Sequence, residues 1–347
     1  MKKLIKAVYI FAPEVMSVDE DTLIVTLDDK EIAHGKLRNI EMICYYGYKP
    51  IRPSLIDACV RNGVRLNLFH PEGQFIASVG GSDEKVAQLR RRQYAEIGTP
   101  HMGLEIAKNM IMAKVFNTRW LFGLMFRDYG DRLDKGFIKT KTEQYKKILG
   151  EVVEAKDLET LRKIQKTATK EWYAAMDHLI VRQKKTFKFK ERAVKPPMDP
   201  INVLLSFVHE LVEDACIGAV ESVGFDAYAG FLHKDKPGQM SLVLDLMEET
   251  KICLGDRFAL TVVNEGIIGS EAFEEEEEGT GHFVLTDGGI DAILAYWREF
   301  TAFETMHPYL EEKLEWSLVP YSSAMLLARF LRDEIDKYPP FLRKKPV

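Results

Sequence analysis

Up to residue 81 apolar and polar positions alternate in short runs; from residue 82 onward the apolar positions recur at helical spacing. Alternation puts every second side chain on one face of a strand, and a recurrence at three and four puts them on one stripe of a helix. The first pattern predicts strands at residues 6–11, 22–27, 31–34, 40–45, 64–69 and 74–79, with one helix over 54–61 behind Pro53. Asp28 with Asp29, and Pro71 with Glu72 and Gly73, are the turn formers between them. Gly80, Gly81 and Ser82 mark the change of character.

In the second region Leu104, Ala107, Ile111, Val115, Leu121 and Met125 form one stripe, and Leu158, Leu161, Ile164, Ala168 and Trp172 another. Pro196, Pro197 and Pro200 interrupt the helices. Residues 240–249 then read as a helix with Ser241 as its N-cap, and the last clear helix covers about 322–335. The pattern predicts an α+β chain: a small N-terminal β-rich, β-sandwich-like domain at 1–81 and a larger all-α domain at 82–347.

Composition narrows the class. The 347 residues, 46% hydrophobic, suffice for two cores, and no apolar run approaches the roughly 18 residues that span a bilayer. The first ten residues turn polar too soon for a secretory signal, so the cytoplasm is the expected compartment. Cys44, Cys59, Cys216 and Cys253 lie far apart, which argues against structural zinc or a disulfide framework and for buried small apolar residues. A net charge of −5 does not by itself announce a nucleic-acid binder, but its distribution matters. Residues 182–195 carry seven bases and one acid: Lys184, Lys185, Lys188, Lys190 and Arg192 are among the bases, interleaved with Phe187 and Phe189. Such a run offers phosphate contacts beside a stacking surface. Arg90, Arg91 and Arg92 form a second basic cluster; Arg343, Lys344 and Lys345 form a third, which reads more readily as a solvated helix face or disordered tail than as a phosphate contact. Glu274 to Glu278 repel one another and read as a solvated loop.

The chemistry concentrates in residues 221–248. Gly230, Phe231, Leu232 and His233 form a turn, and Asp245 and Glu248 follow at i and i+3 of the expected helix, on one face. Leu242, Leu244 and Leu246 surround these acids, and buried paired carboxylates need a cation. An imidazole with two carboxylates suits magnesium or manganese, and so metal-assisted phosphate chemistry.

Residues 224–233 followed by 241–249 resemble the signature of the CRISPR-associated endonuclease family, the integrase of spacer acquisition, and most nearly its type I-C-like branch. Further matches run through the chain: Arg90 and Gln93; Lys114, Asn117 and Arg119; Tyr173; Pro196, Pro197, Asn202, Leu205, Ser206 and Phe207; and His307 to Glu311 with Lys313 and Trp316. The resemblance implies a homodimer formed through the N-terminal domain, a small ferredoxin-like partner protein, and double-stranded or branched DNA as prespacer and repeat substrate. It also implies a divalent metal held by His233, by Glu248, and by a glutamate from an earlier helix, with Asp245 as a further ligand or as the acid that positions one. Arg90, Gln93, Lys114, Arg119, Tyr173 and Ser206 would join the basic run 182–195 in holding DNA.

One position departs from the family. Where its members carry Leu-Arg-Gly-Ile-Glu-Gly, this chain has Leu161, Arg162, Lys163, Ile164, Gln165 and Lys166. A glutamine offers one neutral oxygen in place of a charged pair, so affinity for a hard dication should fall. Lys163 and Lys166 change together with Gln165, which favours natural divergence over a single inactivating substitution. Two functions follow: a metal-dependent endonuclease and integrase with weakened metal binding, or a DNA-binding scaffold subunit with impaired catalysis. A small-molecule phosphohydrolase would need a phosphate-cradling glycine loop, which the sequence lacks.

Overall fold

The computed structural model describes residues 4–81, 84–194, 197–276 and 281–343. Ser82, Lys195, Pro196, Glu277, Glu278, Lys344 and Lys345, all used above, lie outside them. In chain order the elements begin with β1 (Lys6–Phe11), β2 (Val15–Asp19), β3 (Thr22–Leu27), β4 (Lys30–Lys36), β5 (Ile40–Tyr46), α1 (Pro53–Arg61), β6 (Arg65–Phe69) and β7 (Phe75–Val79). Helices follow: α2 (Glu84–Glu96), α3 (Met102–Tyr129), α4 (Lys135–Glu154), α5 (Leu158–Leu179), α6 (Pro200–Val223), α7 (Ser241–Lys251) and α8 (Arg257–Glu265). The chain continues through β8 (Phe273–Glu275), β9 (Phe283–Leu285), α9 (Asp287–Ala302), β10 (Glu304–Met306), β11 (Lys313–Glu315) and α10 (Val319–Leu331). A β-rich N-terminal region thus precedes a mainly helical one, and the helical part also carries four three-residue strands. Among the described residues no helix is long and apolar enough to cross a membrane.

Compactness divides the chain less simply than element type does. One unit comprises Met1–Gly103, Glu213–Met247 and Lys313–Pro339; the other comprises Leu104–Val212, Glu248–Glu312 and Pro340–Val347. The 81/82 change of pattern therefore does not coincide with the edge of a compact unit, because α2 and residues 224–229 are tied to one another by side-chain hydrogen bonds described below.

In the first unit β1, β5 and β6 are parallel, and β7 closes the sheet antiparallel to β6, while β2, β3 and β4 form an antiparallel meander. Asp28 and Asp29 both take positive φ, 49° and 60°, at the β3–β4 turn, and Gly73 takes 100° between β6 and β7. The core gathers Met16, Leu23 and Val25 of the meander, Ile43 and Tyr45 of β5, and Leu55 and Cys59 of α1. Every residue of β5 is buried. Its second face meets α6 at Gly218, where a Cβ would stand 2.6 Å from Cys44 Sγ. Strand β2 was not expected: Pro13 and Glu14 interrupt the alternation just before it.

The second unit is helical. Asp157 caps α5 by accepting from the Thr160 N–H at 2.8 Å, and Asp134 caps α4 through Phe137. Phe122, Tyr145 and Trp172 pack ring to ring, with Phe122 5.7 Å from each of the others, and Tyr145 donates to the Ala168 carbonyl at 2.5 Å. Helix α7 passes through a π-turn, Ile252–Asp256, into α8, which Gly266 ends in the left-handed conformation. Glu274 and Glu275 stand exposed in β8, paired with β9, rather than in a loop. All four cysteines are buried, and none of them is in a disulfide. Burial alone raises the Cys59 thiol to about 11.

His307 is fully buried; its Nδ1 accepts from the Tyr309 and Leu310 N–H groups, and its Nε2 is buried without a hydrogen-bond partner. Burial depresses its pKa from 6.5 to about 4. Above pH 6.5 the ring is neutral in both folded and unfolded chains; below it the unfolded chain takes up a proton that the folded one refuses. Stability is therefore lost as pH falls from 6.5 through about 4, by up to about 3 kcal/mol. Urea titrations across that range should show this loss, and His307→Asn should flatten it.

Candidate active-site residues

Asp245 lies on α7 and is fully buried. Its Oδ2 accepts from the backbone N–H groups of Phe231 and Leu232, at 2.5 and 2.9 Å, and its Oδ1 from that of His233 at 2.9 Å. The same Oδ1 lies 2.7 Å from His233 Nδ1. An ionised carboxylate can only accept, so Nδ1 carries the proton and Nε2 presents the ring's lone pair. The turn closes tightly on this acid: a Cβ on Gly230 would stand 2.9 Å from Asp245 Oδ2 and 2.8 Å from the Ser241 backbone. Ser241 opens α7 but does not cap it; its hydroxyl donates to the Lys234 carbonyl at 3.3 Å. Four donors converge on the two oxygens of Asp245, one of them the His233 ring, so the acid is placed to orient that imidazole.

The segment before this turn is anchored by α2. Gln93 is fully buried, donates to the Asp226 and Ala229 carbonyls at 2.8 and 2.7 Å, and accepts from the Asp226 N–H at 2.9 Å. Arg90 donates to the Gly224 and Phe225 carbonyls, both at 3.0 Å. Both amide hydrogens of Gln93 are thus spent inside the fold, and the Arg90 guanidinium anchors the same loop.

Glu248, one turn beyond Asp245 on α7, belongs to the second unit and is 7% exposed. Lys114 Nζ donates to its Oε2 at 2.6 Å and to Thr169 Oγ1 at 2.7 Å; Gln165 Nε2 donates to its Oε1 at 2.9 Å. Burial lowers the Lys114 pKa, against the opposing pull of Glu248. Lys114 is 3% exposed, and its ammonium is paired with the Glu248 carboxylate. Among the described residues no three histidine, cysteine or acidic groups converge as a metal cluster.

Of the remaining basic candidates, Arg119 is half-buried with its Nε unpartnered, while Lys184, Lys185, Lys188 and Lys190 are exposed. Phe187 and Phe189 are buried instead of offering a stacking surface: Phe187 packs on Phe273, and Phe189 on Tyr173. Arg192 donates to Asn202 Oδ1 and Ser206 Oγ, both at 3.0 Å, which ties down two of the residues expected at DNA. The sequence reading missed a buried pair, His209 Nε2 with Asp256 Oδ1 at 2.9 Å in the π-turn, because their separation in the chain carries no spacing signal. Burial raises the Asp256 carboxyl, but His209, Lys251 and Arg192 outweigh it and hold the group below the usual carboxylate range.

The model for "CRISPR associated protein Cas1" matches residues 8–299. A CRISPR-associated endonuclease Cas1 of Rhodospirillum rubrum is 34% identical over 349 residues, covering 99% of this chain and 100% of that one. The chain belongs to the Cas1 family. A second relative, the Cas1 endonuclease of Chlorobaculum tepidum, is 30% identical over 99% of both chains. Two solved structures share the Cas1 fold: a partial Cas6-RT-Cas1–Cas2 complex, with TM-score 0.76 at 18% identity over 99% of both chains, and a casposase bound to integration product, with TM-score 0.72 at 19% identity over 99% of this chain and 95% of that one.

Replacing Asp245 with alanine leaves three backbone N–H groups and an imidazole without their acceptor, so the variant should lose at least about 3 kcal/mol in urea unfolding. His233→Ala keeps the three backbone bonds and should cost about 2 kcal/mol or less.

Proposed function

We propose that this chain is a divalent-metal-dependent DNA endonuclease and strand-joining enzyme of CRISPR spacer acquisition. The observation that carries the reading is the Asp245–His233 bond at 2.7 Å, because a carboxylate on Nδ1 is the arrangement that orients a metal-binding imidazole. By donor type the residues that the family resemblance names suit a hard dication in part: the Nε2 of His233 and the carboxylate of Glu248 are both ligands that magnesium or manganese accepts. Gln165 would add only its neutral oxygen. Bound there, the ion would polarise a scissile phosphate. In joining, a DNA 3′-hydroxyl attacks phosphorus and the leaving strand departs with a hydroxyl; in cutting, water attacks instead. The chain's own residues hold the imidazole in one tautomer, neutralise Glu248 through Lys114, and supply exposed lysines for the DNA backbone.

Gln165 tunes this chemistry. With glutamate at 165, two carboxylates would face each other at hydrogen-bonding distance and demand a cation; the amide replaces that repulsion with a bond at 2.9 Å. That bond also favours a second reading, a DNA-binding scaffold subunit with little catalysis. A DNA substrate and a protein partner are supported by the titles of the two complexes that share the fold, one a Cas1–Cas2 assembly and one bound to integration product; these, with the homodimer and small partner subunit that the resemblance implies, belong to both readings.

Supercoiled DNA with a prespacer duplex and manganese separates the two. The enzyme joins strands and loses activity in His233→Ala; a scaffold binds DNA but joins nothing, and equal activity in His233→Ala overturns the first reading. Gln165→Glu should raise manganese affinity by about tenfold or more in calorimetry; no change in affinity or nuclease activity would remove Gln165 from the site. Replacing Lys184, Lys185, Lys188 and Lys190 with glutamine should weaken DNA binding and reduce the slope of log affinity against log salt by up to about 3 to 4.

A further inference from the structure

Residues 341–343 are not a solvated segment. Asn117 Nδ2 donates to the Phe341 carbonyl at 2.8 Å, and its Oδ1 accepts from the Arg343 N–H at 2.9 Å, so one side chain grips this stretch of backbone twice. The Phe341 N–H donates to Glu249 Oε1 at 2.5 Å, and the Phe341 ring is fully buried, 5.3 Å from His307. The Arg343 guanidinium lies over Trp120 at 5.0 Å and bonds the Thr305 hydroxyl. Asn117 stands one turn after Lys114 on α3, and Glu249 is the neighbour of Glu248 on α7. Asn117 also reaches the Glu249 carbonyl at 3.4 Å, so three residues join the two helices at the level of the Lys114–Glu248 pair.

We propose that residues 341–343 form a strap that fixes α3 against α7, with Asn117, Glu249 and Phe341 as positioning residues for Lys114 and Glu248. The physical basis is the short reach of the pair. A 2.6 Å charge-assisted bond between two buried side chains tolerates little sliding of the helices that carry them, and the two ends of the Asn117 amide and the Glu249 carboxylate supply cross-links within a turn of that pair. Arg343, which the sequence groups with a basic patch, is thereby a structural cation on an indole face rather than a DNA contact. The consequence for catalysis rests on the functional reading above; the consequence for the two helices does not.

The test compares the full chain with one ending at Pro340, by hydrogen–deuterium exchange and by DNA joining with manganese. Exchange should quicken by about tenfold or more in residues 114–120 and 248–254 while β5 and α9 stay protected. A synthetic peptide of residues 341–347 at millimolar concentration should restore protection, and the same peptide with Phe341→Ala should not. Joining should lose about tenfold in kcat with KM for DNA within about twofold. If the shortened chain does not fold, Phe341→Ala in the full chain is read in the same way. Unchanged exchange in both helices overturns the strap, as does a loss of protection spread evenly through the molecule in the point variant. A rise in KM with kcat intact also overturns it, and assigns the segment to DNA binding. In a chain that joins no DNA with any metal the functional reading falls, and the exchange and peptide measurements still decide the strap.

Discussion

A carboxylate taken out of water must find donors or a cation, and α7 buries three within five residues, Asp245, Glu248 and Glu249, of which the first two belong to the candidate site. The two are satisfied by different means. Asp245 is met by three backbone N–H groups and one imidazole, which freezes the Gly-Phe-Leu-His turn around it. Glu248 is met by an ammonium and an amide from two other helices. Much of the surrounding structure follows from these demands. Gly230 has no room for a Cβ because the turn must close on Asp245, and Lys114 is buried because Glu248 is.

The sequence reveals most where local geometry dominates. The strands of the N-terminal region are legible because alternation is bounded by residues that adopt positive φ at the turns, Asp28, Asp29 and Gly73. The helices are legible because their buried stripes keep a regular period from Leu104 to Met125 and from Leu161 to Trp172. Tertiary bonds override such signals elsewhere. The tie between α2 and the Asp226–Ala229 loop depends on two side chains, Arg90 and Gln93, that reach across more than a hundred residues of sequence. No local pattern encodes that distance.

The chemistry is legible in kind but not in role. Twelve residues separate His233 from Asp245, and the spacing identifies both as candidates without saying which atom faces which. Only the hydrogen bonds show that Asp245 faces Nδ1 of His233. Basic residues are legible in the same partial way: a charge pattern picks out Lys114, Arg192 and Arg343, and only the structure shows the partner that each has within the fold. Phe187 and Phe189 look like stacking platforms because they alternate with lysines, but alternation in an extended loop also sends one face inward.

The π-turn after α7 has a bearing on how this region is compared between proteins. Each residue of a helix advances the side-chain direction by about 100°, so a five-residue stretch wound more widely than an α-turn shifts the phase of everything after it. A helical wheel drawn straight through from Leu242 to Val263 therefore misassigns inward and outward positions beyond Ile252. Two chains of this kind that differ by one residue at the turn can keep the same buried side chains while appearing, letter by letter, to have exchanged them.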